Sequence, residues 1–175
     1  MRLEERFLLH VLRDDVAQHC EPRRSGLPAR ATAAIECAVD APFVDSVGVY
    51  GFDLPAAAAL AYLERMNGEG SLGTDGDCLS GTPGDSSWDG PEGSEDNAWQ
   101  VTYGERVYSA ARVGCFLNEH GMANVRATCD DAYIGVLGTT ADIAQLTKWV
   151  LQGPAGEDPI QGPGICFGEF GGGLP

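Results

Sequence analysis

Six cysteines, at positions 20, 37, 78, 115, 129 and 166, constrain this chain more than any other feature of its sequence. They are spread over most of its length, none forms a CxxC pair, and no histidine stands at a spacing that suits a tetrahedral zinc site. An even number of well-separated cysteines is what an oxidising compartment permits. Cys20, Cys37, Cys78, Cys115, Cys129 and Cys166 therefore read as disulfide partners, and the chain as extracytoplasmic. Their number alone leaves the pairing open. The sequence shows neither a signal peptide nor an apolar run long enough to span a bilayer. An export signal or membrane anchor is accordingly expected elsewhere in the gene product, with this chain an external piece of it.

A length of 175 residues suits one domain with a real core. Glycine and proline gather in two places, which sets the expected organisation. Residues 1–153 form a single domain carrying a long acidic loop at 70–97, and residues 154–175 form a Gly/Pro-rich tail. Twenty-six acidic residues against eleven basic ones give a formal net charge of −15. Nucleic-acid backbones and anionic membrane surfaces are repelled by such a chain, so no nucleic-acid partner is expected. Otherwise the acidity serves solubility.

Hydrophobic periodicity outlines the elements. Leu8, Val11, Leu12 and Val16 recur at helical spacing, predicting an amphipathic first helix that ends near Cys20. After the turn-forming "EPRRSGLPAR", the runs "ATAAIECAV" and "VDSVGVYGF" read as strands. "AAAALAYLERM" predicts a second helix, with Asp53 as its cap and Pro55 in its first turn. No period survives between Gly70 and Asn97. "AWQVTY" reads as a strand, and Arg112–Asn118, Val125–Cys129 and "YIGVLG" as a three-stranded meander turning at "NEHG" and "DDA". The last helix lies in "TTADIAQLTKWVLQG", with Thr139 and Asp142 resembling a capping box. The segments "VGVYGFDLPAAAALAYL" and "IGVLGTTADIAQLTKWV" echo each other. That echo suggests a duplicated strand–helix unit, although any strand that enters a helix gives a similar pattern.

Residue types that carry chemistry are few. His120 sits between Glu119 and Gly121 in an expected turn, and Asp130 and Asp131 occupy another, where aspartate bonds its own backbone. Cysteines on strands suit bridging better than nucleophilic attack. Asp75 and Asp77 in "TDGDCLSG", followed by Asp85, Asp89, Glu92, Glu95 and Asp96, are weak calcium candidates whose spacing does not match an EF-hand loop. No GxSxG elbow, phosphate loop, dinucleotide fingerprint or HExxH helix is present, so neither catalysis nor a cofactor is expected.

The order of the "LLHVL" helix, Cys20, "LPARATAAIEC", "VDSVGVYGF", "AYLERM", "GDC", "GCFLN", "AYIGVLG" and a final helix with Trp149 resembles the extracytoplasmic, sensor-like domain of bacterial membrane-anchored serine/threonine protein kinases. The resemblance covers roughly Leu8 to Gly153. Cys129, Cys166 and the tail are additions to its pattern. It implies a non-catalytic module that binds a small molecule, peptide or protein outside the membrane and is anchored through a segment not in this chain. Given this order of elements, the favoured pairing is Cys20 with Cys37, Cys78 with Cys115, and Cys129 with Cys166. The expected fold is α+β, an antiparallel sheet of about five strands packed by helices from both ends of the chain. The sheet face left uncovered, carrying Tyr50, Phe52, Phe116 and Tyr133 with Trp88 or Trp99 from the loop, is the expected binding surface. The alternatives are a calcium-stabilised secreted interaction protein and a small secreted hydrolase using His120.

Overall fold

The computed structural model describes residues 1–89, 94–95, 99–152 and 164–166. Helix α1 (Leu3–Val11) leads through a short 3₁₀ turn at Ala17–His19 into β1 (Cys20–Pro22), which pairs with β2 (Ala33–Cys37). Strand β3 (Val44–Gly51) and helix α2 (Pro55–Gly68) follow, then a second 3₁₀ turn at Cys78–Ser80 and β4 (Gly84–Ser87). A hairpin of β5 (Gln100–Tyr103) and β6 (Arg106–Ser109) precedes the meander β7 (Arg112–Leu117), β8 (Ala123–Cys129) and β9 (Ala132–Gly138), and α3 (Ile143–Leu151) ends the regular structure.

Alternation decides what each strand buries, because successive side chains point to opposite faces of a sheet. Seven strands form one antiparallel sheet in the order β1-β2-β3-β9-β8-β7-β4, with β5-β6 as a separate pair. The fold is α+β. On one face Ile35, Val47, Val49, Val125, Ile134 and Val136 meet Leu8 of α1 and Ile143, Leu146 and Val150 of α3. On the other, Tyr50, Phe116 and Tyr133 meet Ala58, Tyr62, Leu63 and Met66 of α2, and Val101 and Tyr108 of the small hairpin.

All three bridges pair as the order of elements suggested: Cys20–Cys37, Cys78–Cys115 and Cys129–Cys166. Each fastens something that packs weakly by itself. The first joins the short edge strand β1 to β2, where the two cysteines stand opposite each other in register. The second ties the Cys78 turn to β7, and the third holds the 3₁₀ turn Gly164–Cys166 against the core, where Ile165 is fully buried.

Several expectations need correction. The first helix ends at Val11 because Leu12 turns extended; Leu12 and Val16 still reach the core, but not from one continuous helix. The run after Cys20 opens with a strand rather than a turn. Asp53 does not cap α2, whose N-cap is Leu54 with Pro55 at the first position; α3 is capped by Asp142, whose carboxylate accepts from the Gln145 N–H. The acidic 70–97 segment is partly regular: it holds the Cys78–Ser80 turn and β4, an edge strand paired with β7. The echoed strands β3 and β9 do lie side by side, with Gly48 opposite Gly135, but α2 and α3 pack on opposite faces of the sheet. Most of the proposed tail, like Glu92 and Asp96, lies outside the described residues.

Candidate functional site

The sheet face expected to be bare is covered by α2 and the β5-β6 hairpin. Phe52 and Phe116 are consequently core residues. The covering is incomplete, however. Across the sheet runs a register row of Glu36, Gly48, Gly135, Arg126, Gly114 and Asp85. At Gly114 the missing side chain lets α2 descend onto the sheet: a Cβ there would stand 2.3 Å from Tyr62 Oη and 2.5 Å from Met66 Cε. Beneath the helix Tyr62 Oη donates to Asp85 at 2.5 Å, and the Arg112 guanidinium holds the same carboxylate, with side chains only 2% and 1% exposed for Arg112 and Asp85. Burial, and then the neighbouring Asp85 charge, raise the pKa of Tyr62 well above its ordinary value. This cluster is an anchor for α2.

Toward β2, β3 and β9 the helix no longer covers the row, and a cleft of about 630 Å³ opens. Its size falls within the range of small-molecule sites, roughly 300 to 1,000 Å³. Gly48 and Gly135 form its floor, Tyr50 and Tyr133 one wall, Ala61, Glu64 and Arg65 of α2 another, and Arg23, Leu27 and Pro28 of the β1-β2 connection a third. Ser46, Asn118, Asn124, Arg126, Leu137 and Glu36 complete the lining. The Tyr50 and Tyr133 rings stack with centroids 5.5 Å apart, and Tyr50 Oη lies over Gly48, 3.2 Å from where a Cβ would be.

The three arginines of the lining are held differently. Arg23 donates to Tyr50 Oη at 2.8 Å, lies over the Tyr50 ring and stands 3.9 Å from Glu36. Arg65 pairs with Glu69 at 2.8 Å one turn along α2. Arg126 lies over Gly135, beside the rings of Phe116 and Tyr133; a Cβ at Gly135 would collide with its guanidinium at 1.8 Å. It donates to the Asn124 side-chain oxygen at 2.9 Å, and among the described residues it forms no salt bridge. Arg126 Nε is buried without a partner, as is the hydroxyl of Tyr133, a residue only 2% exposed. Leaving a buried donor unsatisfied costs about 1 to 3 kcal/mol, more if it is charged. Burial raises the Tyr133 pKa while the Arg126 and Arg65 charges, and the approach of the Arg126 side chain to the phenol oxygen, oppose that rise; the phenol keeps its proton, and its O–H remains a donor.

The other residues singled out in the sequence lie apart from the cleft. Trp88 packs against the opposite core and its Nε1 donates to the Thr128 carbonyl; Trp99 is 61% exposed before the small hairpin. Asp77 caps the Cys78 turn by accepting from the Leu79 and Ser80 N–H groups, and Asp75 is exposed. Among the described residues no group of three or more His, Cys, Asp or Glu is gathered as a cation would need. His120 stands in the β7-β8 turn with 76% of its side chain in solvent, next to Glu119. Asp130 takes a left-handed turn conformation with φ 51°, and burial raises the pKa of Asp131. No described helix is long and apolar enough to cross a membrane. Comparison with family models, with curated proteins and with solved structures finds no match for this chain.

Sequence reasoning found the two tyrosines of the cleft but missed Arg23, Arg65, Arg126 and the glycine floor. The signal was present: alternation in "ANVRATC" puts Arg126 on the face opposite Val125, and the echoed G-V-x-G motifs place Gly48 and Gly135 at matching positions of neighbouring strands.

Proposed function

We propose that this chain is a non-catalytic, extracytoplasmic ligand-binding module, the sensing part of a transmembrane serine/threonine kinase. The observation that carries the reading is the cleft: a preformed hollow of small-molecule size, with convergent polar groups on a sheet that disulfides hold rigid. Three bridges are the usual mark of an oxidising compartment, which supports a location outside the cytoplasm. The arginines, tyrosines and asparagines of the cleft can recognise a ligand, and none is arranged as a nucleophile with a base. Crystals soaked with a fragment collection test the binding role. Hits are expected to gather over Gly48 and Gly135; hits confined to other surfaces contradict it. The kinase link is tested by the coding sequence around this chain, in which a kinase domain and a single hydrophobic span upstream of Leu3 are expected, and their absence excludes that link.

A further inference from the structure

Resting on the reading of the cleft as a ligand site, we propose that Arg126 and Tyr133 form a subsite for one carboxylate, carried by a small molecule with an apolar or aromatic body. Both residues line the cleft, and each has a buried donor with no acceptor: Arg126 Nε and Tyr133 Oη. Two buried donors without a partner in residues that line the same cleft call for an acceptor from outside the chain.

The charges around the cleft select its kind. The lining holds three arginines, Arg23, Arg65 and Arg126, and two glutamates, Glu36 and Glu64. Arg23 stands near Glu36 and Arg65 pairs with Glu69, whereas Arg126 is held by the neutral Asn124 oxygen and has no salt bridge among the described residues. One guanidinium without a carboxylate partner suits a monoanion. A phosphate monoester, with a charge of about −1.5 to −2 at neutral pH, would bring more negative charge than that guanidinium balances and would face Glu36 and Glu64. A planar carboxylate also matches the guanidinium fork. The cleft's volume of about 630 Å³ leaves room for a flat body beside Tyr50, Leu137 and Pro28. The acidity of the chain as a whole does not forbid this, since charges farther than about 8 to 10 Å away are largely screened at physiological salt.

The test is a titration of the ¹⁵N-labelled, fully oxidised protein with four probes at constant ionic strength: benzoate, benzamide, benzylamine and phenyl phosphate. Benzoate is expected to shift the Arg126 Nε–H and Gly135 amide signals saturably, and the other three to do so weakly or not at all. R126Q is expected to weaken benzoate binding about tenfold. G135A, which keeps the charge but pushes the guanidinium off the floor, is expected to weaken it as well, so the test survives if one variant fails to fold. Benzoate binding unchanged in the folded variants, or benzamide or phenyl phosphate binding as tightly as benzoate, overturns the proposal. If neutral or cationic probes shift Gly48 and Gly135 while benzoate does not, the carboxylate is wrong and the cleft stands. If none of the four shifts any residue of the cleft, both readings fall.

Discussion

At Glu5 a single carboxylate in the first turn of α1 is enclosed by three donors. Its side chain is fully buried and accepts from the Arg2 backbone N–H at 2.6 Å, from Arg2 Nε at 2.9 Å and from the Arg24 guanidinium. Burial works to raise its pKa, but the hydrogen bonds from Arg2 and Arg24 outweigh burial and hold it down to about 2 from an ordinary 4.5. Because the folded value is the lower one, the unfolded chain takes up this proton first as pH falls. The stability Glu5 contributes is therefore complete above about pH 4.5 and is lost on the way down through about pH 2. Thermal melts at pH 5, 4, 3 and 2 should show a smaller fall in midpoint for E5Q than for the unaltered chain; equal slopes would mean that the Arg2–Glu5–Arg24 cluster does not couple to folding.

Glycines mark where one element lies on another, and the row across the sheet separates two uses of them. At Gly114 an added methyl meets Tyr62 and Met66 beneath α2, where Tyr62 is committed to Asp85. Overpacking of that kind costs about 1 to 3 kcal/mol. At Gly135 it meets only the far end of the Arg126 side chain, which can move. Urea unfolding should show G114A destabilised by about 2 kcal/mol and G135A by less than about 1 kcal/mol. The reverse order would mean that α2 is not held by the glycine row. The same distinction explains what was legible in the sequence. Alternation in "RVGCFLN", in Val125–Cys129 and in "YIGVLG" gave the meander, since those strands bury one apolar side. It could not give β1 and β4: Cys20–Pro22 and Gly84–Ser87 are short edge strands without an apolar period, and pairing with β2 and β7 defines them. The aromatic face was read from residue type alone, but coverage depends on where α2 lands, which no local pattern encodes. Tyr50 and Tyr133 were thus found without the arginines that give their cleft its charge.

Over the whole molecule, the bridges supply what a sheet with two short edge strands lacks. Cys20–Cys37 spans 17 residues and the other two bridges span 37 each. In the chain-entropy model a loop of about 15 residues contributes about 3 kcal/mol and the longer loops about 4 kcal/mol each, against a total stability of about 5 to 15 kcal/mol for an ordinary domain. C78S/C115S should lose about 4 kcal/mol in urea unfolding and free the β4 edge; a loss below about 1 kcal/mol would show that pairing with β7 alone suffices. The sheet, its cleft and its proposed station outside the cytoplasm all depend on those cross-links forming in the cell. The direct measurement is peptide mapping of the protein taken from its native cells, alkylated at lysis and digested without reductant. It should yield the linked peptides Cys20–Cys37, Cys78–Cys115 and Cys129–Cys166 and no alkylated cysteine; alkylated thiols at these positions, or other partners, would contradict the account.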